Sequence, residues 1–236
     1  MKSTLRYRSL MPAYSFLLVC VFIISVLFSR LTTVITVNAP ITQKRTVIID
    51  AGHGGVDGGA ISCTGVPESK FNLDIALKLN DLMHLLGINT IMIRDSDISV
   101  HTRGETIAQK KISDLRERVG IVNSTPNAIL ISIHQNHFSD GRYSGAQVFY
   151  APTEESQQLA EALQDSFIRR INLNSNRRTK EAKGIYLMQH VKCPAALIEC
   201  GFLSNKQEEF LLRNKEYQQK VCSVIACTVS KYLFST

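Results

Sequence analysis

Four residues of this chain, His53, Glu68, His134 and Glu199, are of the types that hold a hydrolytic metal and move protons. Two imidazoles and one carboxylate form a three-donor zinc set with a fourth position open to water, and the second carboxylate is left to handle protons. Which carboxylate does which is not given by residue type alone. Each residue also has a blander reading. A single histidine after a strand is ordinarily a loop or core residue. A glutamate like Glu68 in a first helical turn is favoured by the helix dipole. Glu199 is harder to dismiss, because it ends the apolar run Ala195-Ala196-Leu197-Ile198 and precedes Gly201-Phe202. A carboxylate buried there needs a partner.

A shared site requires that the elements carrying these residues bring them together. Thr46–Ala51 is a β-branched run, and His53 lies two residues beyond it. Ala128–Ile133 is an apolar strand followed at once by His134, and Ala195–Glu199 ends in the glutamate itself. Phe71–Leu86 repeats Ile75, Leu79, Leu82, Met83 and Leu86 at helical spacing, with Gly87 as a stop and Glu68 just before it. Strands are also expected at Ile88–Arg94, Ala146–Tyr150 and Gly184–Met188. Helices are expected at Ser113–Asn123, Thr153–Ile171 and Glu216–Leu233, with a short one capped by Ser204. Asp95–Ile112 shows no period and is long for a connection, which marks it as a functional loop. Strands separated by helices predict a single α/β domain with a mostly parallel sheet covered by helices on both faces. In such a sheet ligands bind beyond the carboxyl ends of the strands, where positions 53, 68, 134 and 199 converge.

Other chemistries fare worse. The run Gly52 to Gly59 follows a strand but places Asp57 where a dinucleotide fingerprint needs its third glycine. No P-loop and no G-x-S-x-G nucleophile elbow is present. The glycines are better read as letting the backbone turn around a metal ligand. Of the remaining histidines, His137 is the alternative ligand, although its loop, Gln135 to Tyr143, reads as a pocket wall.

The net charge is +7, but removing Lys2, Arg6, Arg8 and Arg30, which flank one apolar stretch, leaves +3 for the rest. That excess is too dispersed for a nucleic-acid groove. The stretch, Ala13 to Ser29, is uncharged, and with Leu31 to Val37 it is long enough to reach across a hydrocarbon core. Residues 1–39 are therefore expected to be an export signal or, preferably, an uncleaved membrane anchor, since the one acceptable cleavage site, Val37-Asn38-Ala39, is followed by Pro40. Residues 40–45 form a linker and 46–236 the catalytic domain, placed outside the cytoplasm. The six cysteines do not have the spacing of a disulfide framework, and there is no C-x-x-C pair for structural zinc.

Asp50-Ala51-Gly52-His53-Gly54-Gly55, Gly65-Val66-Pro67-Glu68 with Asn72-Leu73, Ser132-Ile133-His134-Gln135-Asn136 and Glu199-Cys200-Gly201-Phe202-Leu203-Ser204-Asn205 together resemble the zinc-dependent N-acetylmuramoyl-L-alanine amidases of the third class. The resemblance runs from about Thr46 to Leu233. It implies that His53, Glu68 and His134 bind one zinc ion and that Glu199 is the catalytic glutamate. The substrate would be the peptidoglycan glycan strand with its stem peptides. The last motif, Gly145-Ala146-Gln147-Val148-Phe149-Tyr150 and the short chain resemble the sporulation subgroup most, which implies a role in forming muramic lactam in spore cortex and an activating or tethering protein partner. Two departures stand out. Ser69 occupies a position where lysine is common, and Asp95–Ile112 is longer than in the general amidases. Competing readings are a zinc exopeptidase cutting within the stem peptide and a non-enzymatic envelope module.

Overall fold

The computed structural model describes residues 18–22, 45–173 and 175–235. Two compact units separate, Met1–Thr42 and Gln43–Thr236. In the first, residues 18–22 are helical, and the rest of the expected anchor lies outside the described residues. Among the described residues no helix is long and apolar enough to cross a membrane.

The second unit is built on a six-stranded sheet. Its strands are β1 (Thr46–Ala51), β2 (Asn89–Met92), β3 (Ala128–Asn136), β4 (Gln147–Tyr150), β5 (Lys180–Glu181) and β6 (Ala195–Phe202), in the order β2-β1-β3-β6-β4-β5. The helices are α1 (Glu68–Leu85), α2 (Ile107–Ser124), α3 (Glu154–Arg170), α4 (Tyr186–His190), α5 (Lys206–Arg213) and α6 (Lys215–Ser235). The central strands are apolar on both faces, as a two-sided cover requires. Val47, Ile49, Ile129, Ile131, Ile133, Ala196 and Ile198 face α1, α3 and α6, meeting Ile75 and Leu79, Leu159 and Phe167, and Val221 and Ile225. Ile48, Leu130 and Leu197 face the other way, toward Val122 of α2 and Leu187 and Met188 of α4. Each large side chain so buried contributes about 1.5–3 kcal/mol.

The mostly parallel α/β sheet matches expectation, with one reversal. β4 runs antiparallel to β6, pairing Gln147 with Glu199 and Tyr150 with Ala196. Because β6 lies between β3 and β4, the connection over residues 137–146 passes across the carboxyl end of β6.

Three local expectations need correction. Gly184–Met188 is not a strand: Gly184 sits at φ +79°, and the consecutive Leu187 and Met188 are both buried, which an alternating strand on one face cannot do but a helical turn can. The helix expected from Ser113 begins at Ile107, where Thr106 and Gln109 form a reciprocal capping box. Asn205 rather than Ser204 caps α5, accepting from the backbone N–H of Gln207 and Glu208. The six cysteines are free.

Candidate metal centre and active site

His53 leaves β1 in a left-handed conformation, φ 61°, between Gly52 and Gly54. Left-handed backbone is uncommon for a residue with a side chain, and here two arginines hold it. Arg94 donates from Nε to the carbonyl of Ala51 (2.7 Å), from Nη2 to those of Gly52 (3.0 Å) and Ser69 (2.9 Å), and from Nη1 to that of Ser96 (2.9 Å). Arg118 of α2 donates to the carbonyls of Ala51 (3.1 Å) and His53 (2.8 Å). Both guanidinium groups are buried, and Arg118 is neutralised by Asp50 and by Asp114 (2.6 Å). Ser132 Oγ donates to the second Asp50 oxygen at 2.6 Å. The clamp thus joins the His53 turn to the start of α1, which carries Glu68.

Glu68 lies at the centre. His134 Nδ1 is 2.9 Å from its Oε1, and His53 Nε2 is 3.3 Å from its Oε2. Donors from three sides fix the carboxylate: Asn72 Nδ2 (3.1 Å) and the Gln135 backbone N–H (3.2 Å) to Oε1, and the Ala60 backbone N–H (3.1 Å) to Oε2. Burial alone would raise the Glu68 pKa, but the bonds from His134 and His53 override it and hold the carboxyl well below the usual range. The two imidazole rings stand edge to face with centroids 5.0 Å apart.

One ligand atom from each of His53, Glu68 and His134 lies within 4.8 Å of the others. That donor set, two nitrogens and one oxygen, suits zinc. The backbone around it is cut to fit. A β-carbon at Gly59 would lie 2.7 Å from Glu68 Oε2 and 2.8 Å from His53 Cδ2, and one at Gly52 would overlap the His134 ring. Asp57 accepts from His53 Nδ1 at 3.0 Å, leaving Nε2 to face the centre, and is itself held by Lys111 at 3.1 Å. A carboxylate behind a histidine is the usual device for fixing a ligand's tautomer and aim.

Glu199 occupies the neighbouring strand, its Cα paired with that of His134. Its Oε2 is sealed from solvent without a hydrogen-bond partner. Burial pushes its pKa up to about 7, only partly opposed by His134. A carboxylate near that value can both take and return a proton at neutral pH.

The structure brings all four predicted residues to one sheet edge, and leaves His137 exposed on the loop beyond. The Asp95–Ile112 segment closes on the His53 turn, Asp97 Oδ1 accepting from the Gly55 N–H at 3.0 Å. Sequence reasoning missed Asp57, Arg94, Arg118, Asp50 and Asp114. Asp57 could have been found as the carboxylate four residues after a ligand histidine, but the arginine clamp acts on main-chain carbonyls and leaves no motif.

Residues 47–231 match the family model described as N-acetylmuramoyl-L-alanine amidase. The germination-specific N-acetylmuramoyl-L-alanine amidase of Bacillus subtilis (strain 168) is 38% identical over 197 residues, covering 83% of this chain and 82% of that protein. Among solved structures, the CwlD amidase from Clostridioides difficile, in complex with the GerS lipoprotein, superposes with a TM-score of 0.78 at 36% identity, covering 81% of this chain and all of that one. An N-acetylmuramoyl-L-alanine amidase from Clostridium difficile 630 superposes with a TM-score of 0.71 at 29% identity, covering 81% and 98%. Motif, fold and sheet-edge geometry thus lead to one assignment: the chain belongs to the N-acetylmuramoyl-L-alanine amidase family, amide hydrolases of the peptidoglycan wall.

Proposed function

We propose that His53, Glu68 and His134 hold a single zinc ion and that Glu199 is the general base and acid of an amidase that frees stem peptides from muramic acid. The observation that carries this reading is the Glu199 Oε2, buried and unpartnered beside a ready three-donor cluster. When bound, zinc supplies Lewis acidity, polarising the lactyl carbonyl and lowering the pKa of a water toward about 7. Glu199 takes a proton from the attacking water as the new C–O bond forms. It then delivers that proton to the L-alanine nitrogen as the C–N bond breaks, leaving a lactyl carboxylate and a free amine. Asp57 keeps His53 aimed throughout, while Arg94 and Arg118 keep its turn from relaxing.

The wider role follows the same line. Likeness to a relative named germination-specific supports action on spore cortex, where peptide-free muramic acid is the precursor of muramic lactam. The N-terminal 39 residues are assigned to export and tethering, 40–45 to a linker and 46–236 to catalysis, so that the enzyme works outside the cytoplasm. A neighbour solved with a lipoprotein supports a protein partner for this chain as well. The test is metal content together with mass spectrometry of digested muropeptides. One zinc per chain and peptide-free muramic acid are expected. Cleavage within the stem peptide would make it an exopeptidase, and no zinc with no product would make it a binding module.

A further inference from the structure

The connection from β3 to β4 presents two aromatic side chains to solvent at the catalytic edge: Phe138 is 51% exposed and Tyr143 47%. Phe138 follows His134 by four residues, so at about 3.3 Å per residue their Cα atoms lie within about 13 Å of each other. The two rings meet edge to face with centroids 4.9 Å apart. Tyr143 stacks on the buried Phe202 at 6.2 Å and 26°, and the Arg177 guanidinium covers the Phe202 ring at 4.9 Å. Arg177 is fixed in turn by the Ser144 carbonyl (2.8 Å) and Gln147 Oε1 (3.2 Å). The exposed rings thus sit on a braced stack, and presenting them costs little ordering on binding.

Part of the main chain of this loop is already engaged. The Phe138 N–H donates to Ser204 Oγ (3.2 Å), the Tyr143 carbonyl accepts from Asn205 Nδ2 (3.2 Å), and the Gly145 N–H donates to Glu208 Oε1 (2.8 Å). Asp140 and Arg142 pair with each other at 2.7 Å. An extended peptide binds by main-chain hydrogen bonds to its host, and at Phe138, Tyr143 and Gly145 those groups are turned to the body of the domain. What remains is exposed aromatic surface, and because the two rings stand at 82° to each other its platform is the negative face of a single ring. A pyranose chair matches that surface, since it presents a flat set of polarised C–H bonds to the ring quadrupole.

We propose that Phe138 and Tyr143 form a stacking subsite for an N-acetylhexosamine ring of the glycan strand, next to the sugar whose lactyl amide is cut. The proposal rests on the amidase reading above and adds that the enzyme grips glycan as well as peptide.

The chain contains no tryptophan, so Phe138→Trp in the full chain gives a single indole reporter at the subsite. Chitotetraose, an N-acetylhexosamine polymer without stem peptide, should shift and quench its emission, whereas a free stem peptide should not. In the wild type chitotetraose should inhibit muropeptide release competitively, and Phe138→Ala and Tyr143→Ala should each weaken that inhibition about tenfold, the upper range for one aromatic contact. Phe138→Tyr should retain it. A fluorescence response to the stem peptide but not to chitotetraose would make this a peptide subsite. Absence of response to either, with inhibition unchanged in both alanine variants, would remove the subsite. The fluorescence outcomes are independent of whether the wild type releases peptide from muramic acid, which tests the amidase reading itself.

Discussion

Glu199→Gln separates coordination, proton transfer and stability in one protein. The amide keeps the size of the side chain but cannot accept the water proton, so turnover should fall by the 10²- to 10⁴-fold typical of a lost general base, while zinc stays on His53, Glu68 and His134. Stability should move the other way. In chelator-stripped protein Glu199 is raised from its ordinary 4.5 to about 7, so ionising it weakens the native state. With the folded pKa above the unfolded one, stability is full below about 4.5 and is lost as pH rises through about 7. A displacement of that size corresponds to about 3 kcal/mol, or roughly 6–12 °C in Tm for a domain of this length. Metal-free Glu199→Gln should therefore melt with the wild type at pH 4.5 and above it at pH 8. Metal analysis, muropeptide release and thermal melts at the two pH values check each part. Zinc lost together with activity would make Glu199 a ligand and return Glu68 to the catalytic role. Near-normal turnover with zinc bound would end the general-base mechanism, and an equal gain at both pH values would mean that packing rather than charge limits stability.

His134→Ala should lose both zinc and hydrolysis in a metal assay run beside a muropeptide assay, since one donor in three is gone; retention of both would point to His137. Gly52→Ala should displace the His134 ring, which the new methyl would meet 2.7 Å from Cδ2 and closer still at Nε2, lowering zinc affinity at least tenfold and stability by about 1–3 kcal/mol in denaturant titration. Wild-type zinc binding would show that the turn can yield. Arg118→Met leaves Asp50 and Asp114 without their buried counter-charge and should cost about 3–5 kcal/mol by the same titration. A loss under 1 kcal/mol would show that Arg94 alone suffices to hold the turn. A chain beginning at Gln43 should leave the membrane fraction on sedimentation and still release peptide. If it is insoluble where the full chain folds, residues 13–37 belong to the domain.

Convergence at the sheet edge is legible because His53, His134 and Glu199 each come within two residues of the end of an apolar run, and apolar runs are what a sequence displays best. The supporting apparatus is not. In α2 the buried stripe is Asp114, Arg118 and Val122, helical in spacing but mostly polar, so a search for apolar period sees neither the first turn nor the arginine that clamps the His53 turn. Strand direction was equally hidden: Gln147–Tyr150 reads the same whether parallel or antiparallel, and its reversal depends on β6, which comes nearly fifty residues later, inserting between β3 and β4. Gly184–Met188 resembles a strand in apolar content but lacks a strand's alternation, since Leu187 and Met188 are both buried.

That reversal has an evolutionary consequence. Because β4 starts at the catalytic edge, both ends of the 137–146 segment are anchored there, and its length can change without altering any sheet pairing or helix crossover. Doubling such a segment costs only about 0.6 kcal/mol in closure entropy, well within what a folded domain tolerates. The scaffold therefore separates two inheritances. A change of length in the His53 turn would meet the buried arginines that hold it, whereas a change of length in the strap across β6 leaves both the sheet and that clamp as they are.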